Sequence, residues 1–211
     1  MTVPPRLEPL LRIDAPPVEL ARRFAAAGHH LYLVGGSVRD ALLDRAGEDL
    51  DFTTEARPDV IKRLVAPWAD DLYLAGEVFG TVGAIKRGRV YEITTFRSEL
   101  YRDESRKPEV TFSDSITEDL SRRDFTVNAM AMQLPGEPGE APVMIDPHHG
   151  VEGQAGPLLR TPLDPAIAFG DDPLPMLRRF RFVATLGFAT DVAAVEAGRS
   201  KHGRLEIVSA E

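Results

Sequence analysis

The chain has 211 residues, 43% of them hydrophobic and 27% charged, which is enough apolar content for a folded core and excludes a disordered polyelectrolyte. It contains no cysteine, so disulfides and thiolate metal sites are excluded, and no apolar run is long enough for a signal peptide or a membrane span; a cytoplasmic protein is expected. The formal net charge of −8 argues against a broad nucleic-acid surface, because phosphate contacts normally supply most of that affinity, although arginines cluster locally at 122–123 and 178–181.

Residues 1–17, with Pro4, Pro5, Pro16 and Pro17, read as an arm, followed by a helix from Val18 to Ala27 that stops at Gly28. Leu31 to Val34 is a short apolar strand. Gly35 and Gly36 then let the backbone turn tightly and approach a ligand such as a phosphate. Val38, Ala41, Leu42 and Leu43 recur at helical spacing, so a helix starts at the glycines with its first N–H groups facing the turn, and Arg39 adds a positive fork there. The chain returns as a strand bearing Asp49 and Asp51, which share one face because strand side chains alternate. Two repelling carboxylates make sense around hard divalent cations, as in two-metal nucleotidyl transfer, and equally occur on any solvated strand edge of so acidic a chain.

Pro58 opens a helix containing Val60, Ile61, Leu64 and Val65, and Trp68 reads as core. Thr81 to Lys86 and Val90 to Phe96 form an antiparallel hairpin turning at Gly88. The charged segment Glu99 to Pro108 has no periodicity and reads as a mobile loop. Ile116 to Asp124 is helical, and Ala129 to Leu134 is another strand followed by a proline- and glycine-rich turn. His29, His30, His148 and His149 fit polar turns better than metal ligation. A helix with an N-terminal acidic cap at Asp171 and Asp172 runs through Arg181 to its stop at Gly187, and a last one covers Val192 to His202.

Two constellations remain. RRDFTVNA places Arg122, Arg123, Asp124 and Asn128 at one helix-to-strand junction: either an arginine-rich helix end neutralised by acids, or a site where the arginines bind a triphosphate while Asp124 and Asn128 orient the sugar or the guanidiniums. Asp171, Asp172, Arg178 and Arg181 read as a stripe on one helix, for which a surface ion-pair ladder is the plain explanation.

The ordered set of GG, VRD and DLDF, followed by RRDFTVNA, resembles the head of the tRNA nucleotidyltransferase and bacterial poly(A) polymerase family, within the polymerase-beta-like superfamily. The resemblance implies an α/β (α+β) fold: a mixed, mainly antiparallel sheet of about five strands backed by helices. It places a head over residues 28–160 and the opening of a helical neck over 161–211, after an N-terminal arm and helix over 1–27. Asp49 and Asp51 then hold Mg²⁺, with Glu92 as the candidate third carboxylate on a neighbouring strand, for which an ordinary exposed strand glutamate is the alternative. Gly35, Gly36, Arg39, Arg122, Arg123, Asp124 and Asn128 bind the nucleotide. Asp172, Arg178 and Arg181 belong to the helix whose edge reads the base of CTP or ATP, and the activity is addition of CMP and AMP to the tRNA 3′ end. Poly(A) or partial-CCA synthesis uses the same head, and a non-catalytic nucleotide-binding remnant is the reading from another class.

The sequence departs from the family pattern in two respects. The arginine expected three residues after Asp172 is Pro175, which removes a donor to the base at a cost of about 1–3 kcal/mol per unpaired partner. The resemblance also covers only residues 28–190 or so, without the rest of the neck or the domains that hold tRNA in this family.

Overall fold

The structure is a computed structural model that describes residues 3–45, 50–102 and 105–208. A single 3-10 turn at Glu8–Leu10 precedes α1 (Pro16–Ala26), and Leu7 is buried in the main core. The proline-rich start is therefore packed against the fold and is not a free arm. Pro16 and Pro17 stand in the first turn of α1, where a missing N–H has no intrahelical partner to lose.

There follow β1 (Tyr32–Val34), α2 (Gly36–Leu42), β2 (Leu50–Thr54), α3 (Pro58–Val65), β3 (Asp71–Tyr73), β4 (Thr81–Lys86) and β5 (Arg89–Thr95). The chain continues through β6 (Arg97–Arg102), β7 (Ser105–Phe112), α4 (Ile116–Ser121), β8 (Ala131–Gln133), β9 (Val143–Ile145), α5 (Gly150–Ala155) and β10 (Leu158–Leu159). It closes with α6 (Pro165–Asp171), α7 (Leu174–Leu186), β11 (Ala189–Thr190) and α8 (Val192–Ser200).

The main sheet has seven strands in the order β3-β4-β5-β2-β1-β8-β9. All neighbours are antiparallel except β2 and β5, so the sheet is mixed and mainly antiparallel, as expected. The strands beyond the expected count include the three-residue edges β3 and β9, too short to carry an alternation signal. The β4–β5 hairpin turns at Arg87 and Gly88, both with positive φ (51° and 74°), the backbone of a twist-matched two-residue turn.

Three expectations are corrected. The segment read as a mobile loop folds as a separate antiparallel ribbon of β6 and β7; a two-stranded ribbon off the main sheet leaves little apolar pattern in its sequence. The helix expected to reach Asp124 ends at Ser121, and Thr126–Asn128 forms a 3-10 turn before β8, which shortens the strand expected from Ala129. Asp171 is the last residue of α6 and Asp172 its C-terminal cap, so neither lies on the helix of Arg178 and Arg181. Pro173 separates them: the residue before a proline is pushed away from helical backbone, and Asp172 accordingly adopts φ −119°, ψ 116°.

The core occupies one face of the sheet, where Leu20 and Phe24 of α1 and Ile61 and Val65 of α3 pack on Leu33, Phe52, Tyr91 and Ile93. On the opposite face α4 contributes Leu120 to a smaller cluster with Tyr32, Val34 and Ala131. Asp51 and Glu92 also lie on this second face, because they alternate with Phe52, Tyr91 and Ile93, which belong to the core.

Candidate nucleotide-binding and catalytic site

β2 and β5 run in parallel with Asp51 opposite Glu92, so the two carboxylates are cross-strand neighbours on the face away from the core. Directly opposed like charges are destabilising in a sheet, and this pair is accommodated where solvent or a cation can reach it. Glu92 is exposed and Asp51 half-buried. Asp49 lies outside the described residues. Among the described residues no group of three or more histidines, cysteines or acids is close enough to hold a metal, so any cation seat here consists of Asp51, Glu92 and groups beyond them.

The row extends past Glu92. Gly83 of β4 pairs with Glu92, and Tyr73 of β3 pairs with Gly83, so four adjacent strands present Asp51, Glu92, Gly83 and Tyr73 in line. The Tyr73 hydroxyl donates to Glu92 Oε1 at 2.6 Å.

The glycine turn after β1 stands beside the arginine junction. Gly35 has φ 67° and ψ −129°, and its carbonyl accepts the first helical hydrogen bond of α2 from Arg39 N at 3.1 Å. A Cβ on Gly35 would lie 3.1 Å from Arg123 Nη1, so the glycine permits both the backbone conformation and the approach of the guanidinium. Gly36 is less constrained, with Arg39 Nη2 at 3.5 Å from the corresponding position.

Asp119 organises the two arginines. Its side chain is fully buried; Arg122 Nη2 donates to Oδ1 at 2.8 Å and Arg123 Nη2 to Oδ2 at 3.2 Å. Thr53 Oγ1, two residues along β2 from Asp51 and on the same face, lies 3.4 Å from the same Oδ2. Burial by itself pushes the Asp119 carboxyl up, but the two guanidiniums outweigh it and hold the group below its ordinary range. Arg123 Nε is buried and has no hydrogen-bond partner among the described residues. The sequence reading missed Asp119, although its spacing of three and four residues from Arg122 and Arg123 is the helical ion-pair signal.

A second chain of contacts joins the junction to α2 and α7. Asp124 Oδ1 accepts from Phe125 N at 2.8 Å and from Asn128 Nδ2 at 2.9 Å, and Asn128 Oδ1 accepts from Arg39 Nη1 at 2.6 Å. Arg39 is also paired with Asp40. Asp124 Oδ2 accepts no well-aligned hydrogen bond, and its charge is met by Arg178 Nη2 at 3.0 Å. Phe182, buried edge-on against Phe125, has the guanidiniums of Arg39, Arg178 and Arg181 at 5.2–5.6 Å from its ring centre. This anchor, too, the sequence did not single out.

Asp172 keeps the acidic-cap role expected at the start of this helix, although it is not part of the helix itself. Its Oδ1 accepts from Leu174 N at 2.9 Å, so it caps the start of α7 from outside the helix. Pro175 is buried in the first turn of α7, at a position where helices tolerate proline. Of the histidines, His148 Nε2 lies 2.9 Å from Ser121 Oγ, and His30 contacts Glu55.

Comparison with known proteins bears on the family and the fold. The profile described as the poly A polymerase head domain matches residues 31–154. A CCA-adding enzyme of Lactobacillus helveticus is 42% identical over 186 residues, which are 88% of this chain and 44% of that protein. The crystal structure of the Bacillus stearothermophilus CCA-adding enzyme in complex with CTP superposes with a TM-score of 0.80 at 32% identity, covering 98% of this chain and 46% of that one. The Thermotoga maritima CCA-adding enzyme complexed with tRNA gives 0.75 at 25% identity, over 90% of this chain and 42% of that one. The chain thus spans about half the length of the relatives it matches, 44% in the first case. With its head motifs, mixed sheet and profile match over more than half its length, the chain belongs to the poly(A) polymerase head-domain family.

Proposed function

We propose that this chain carries the nucleotidyl-transfer centre of an enzyme that adds CMP and AMP, from CTP and ATP, to the 3′ end of tRNA. The observation that carries the reading is the in-register placement of Asp51 beside Glu92 on the sheet face next to the Gly35 and Arg123 turn. In this reading residues 28–160 form the catalytic head and residues 161–211 open a helical nucleotide-recognition region, and the family match over residues 31–154 supports the first part.

The donor set fits Mg²⁺, which takes hard oxygen ligands and commonly uses one or two carboxylates with substrate phosphates. Asp51 would hold it, with Asp49 two residues earlier and Glu92 on the neighbouring strand. When bound, it supplies neutralisation of phosphate charge and a more acidic primer hydroxyl. Arg123, held by Asp119 and keeping one N–H unpaired, and Arg122 meet the triphosphate; the backbone at Gly35 and Gly36 allows the phosphates to come close. Asn128 and Asp124 fix Arg39 in place and orient the sugar. Arg178, with Arg181 beside it on α7, stands at the base end. The 3′-hydroxyl oxygen of the primer bonds to the α-phosphorus and pyrophosphate leaves.

Incorporation of single labelled nucleotides into tRNA lacking its terminal CCA tests the reading, and sequencing of the extended ends separates CCA addition from poly(A) or partial addition. A second reading, nucleotide binding without turnover, is favoured by Pro175, where the base-reading arginine is expected. It predicts CTP binding with no incorporation of any nucleotide.

A further inference from the structure

We infer that Tyr73 is a positioning residue for the third carboxylate of the site, holding one oxygen of Glu92 so that the other faces the cation seat beside Asp51. The inference rests on the metal-binding reading of Asp51 and Glu92 and adds a residue to it.

The geometry comes from strand register. Asp51, Glu92, Gly83 and Tyr73 occupy one row across β2, β5, β4 and β3, and side chains in a row project from the same face. A tyrosine two strands from Glu92 could not normally reach it across an intervening side chain. Here the intervening position is Gly83: a Cβ built on it would fall 2.1 Å from Tyr73 Cζ and 2.3 Å from both ε-carbons. The ring therefore lies flat over the glycine, a contact that no other residue type permits. Its hydroxyl arrives at Glu92 Oε1 at 2.6 Å, the short distance of a bond to a charged acceptor.

That bond changes what an exposed glutamate can do. A free side chain on a solvent-facing strand samples several rotamers, and each cation-binding event must select one. With Oε1 held by Tyr73, fewer orientations are open to the carboxylate, and in this proposal Oε2 serves the cation. The proposed role is one of orientation: Tyr73 acts through Glu92, and no proton transfer is assigned to it.

The test is Mn²⁺ binding, counted by electron paramagnetic resonance, in the wild-type chain, Tyr73→Phe, Glu92→Gln and the double variant, with thermal melting as a control for folding. Tyr73→Phe keeps the ring over Gly83 and removes only the hydroxyl, so the fold should melt as the wild type does. Loss of one orienting hydrogen bond is expected to weaken Mn²⁺ binding about 3- to 10-fold, and the double variant should bind no more weakly than Glu92→Gln alone. Gly83→Ala, which forces the ring aside, should weaken binding in the same way, and Tyr73→Phe decides the matter if that variant fails to fold. Wild-type Mn²⁺ affinity in Tyr73→Phe, with Glu92→Gln impaired, would overturn the positioning role alone. So would losses that multiply in the double variant. Unchanged binding in Glu92→Gln would remove Glu92 from the metal site, and this inference with it.

Discussion

Arg178 Nη2 lies 3.0 Å from Asp124 Oδ2, so α7 is tied by charge to the same junction that carries Arg122 and Arg123. Asp124 is nearly buried, and Arg178 is 40% exposed by side chain, so the pair matters more for Asp124 than for the arginine. Arg178→Ala should therefore lower stability by only about 1 kcal/mol, the discounted worth of a part-exposed pair. It should weaken CTP binding more, by about tenfold, through the loss of both the cation at the base end and its anchor on Phe182. Urea unfolding and calorimetry with CTP measure the two effects separately.

Asp119 is the most consequential buried charge. Asp119→Asn leaves Arg122 and Arg123 without their common partner and is expected to destabilise the chain by about 3 kcal/mol. The pH dependence follows from the direction of its shift. Burial opposes ionisation, the two arginines more than compensate, and the folded carboxyl is held below its ordinary range. Folding therefore releases protons near that range: the stabilisation is complete above the unfolded carboxylate value of about 4 and is lost as pH falls through the lower folded value. Urea midpoints between pH 6 and pH 3 should fall more steeply for the wild type than for Asp119→Asn.

Gly35 and Gly36 should differ in their tolerance. Gly35→Ala puts a side chain at φ 67° and ψ −129°, with Arg123 Nη1 3.1 Å from its Cβ, and should cost about 1–3 kcal/mol as well as displace that guanidinium. Gly36→Ala meets only the end of Arg39 at 3.5 Å and should leave stability within about 0.5 kcal/mol of wild type. Denaturation curves of the two variants, with ATP affinities, check the contrast.

The parts of the site legible in the sequence are those fixed by local rules. The glycine turn, the hairpin closed at Gly88, the proline that opens α3 and the arginine junction all follow from backbone preference or short periodicity. What escaped depends on partners far apart in sequence. The Glu92 to Tyr73 contact requires the register of three strands, and Phe182 becomes an anchor only once α7 lies across Arg39. The acids at 171 and 172 were legible as the cap of a helix start, and Asp172 does cap α7; that both lie outside that helix was not legible, because Pro173 stands at the boundary between two helices. Asp119 is a different case: its spacing to Arg122 and Arg123 was visible, but an exposed ion pair has the same spacing, and only burial separates them.

Pro175 offers a test of base recognition. If this helix end reads the base, Asp172 would accept from an exocyclic amino group, which cytosine and adenine both carry, and Pro175 stands where the donor beside it is expected. Pro175→Arg should raise CTP and ATP affinity by about tenfold and sharpen rejection of UTP and GTP. Arginine is the better helix former, although Pro175 is buried, so the new side chain must extend outward from the first turn of α7. Affinities for all four nucleotides, measured before and after the substitution, would show no gain for CTP and ATP if this helix end takes no part in reading the base.

We propose that the face bearing Asp51 is a metal-dependent nucleotidyl-transfer centre. Its most direct test is the rate of labelled CMP incorporation into tRNA lacking CCA, in Mg²⁺, for the wild-type chain and Asp51→Asn. Asparagine keeps the shape of the side chain and removes the charge, so the fold should persist while the rate falls by about 100-fold or more. Near wild-type incorporation by Asp51→Asn, in a protein that unfolds at the wild-type denaturant midpoint, would contradict the account.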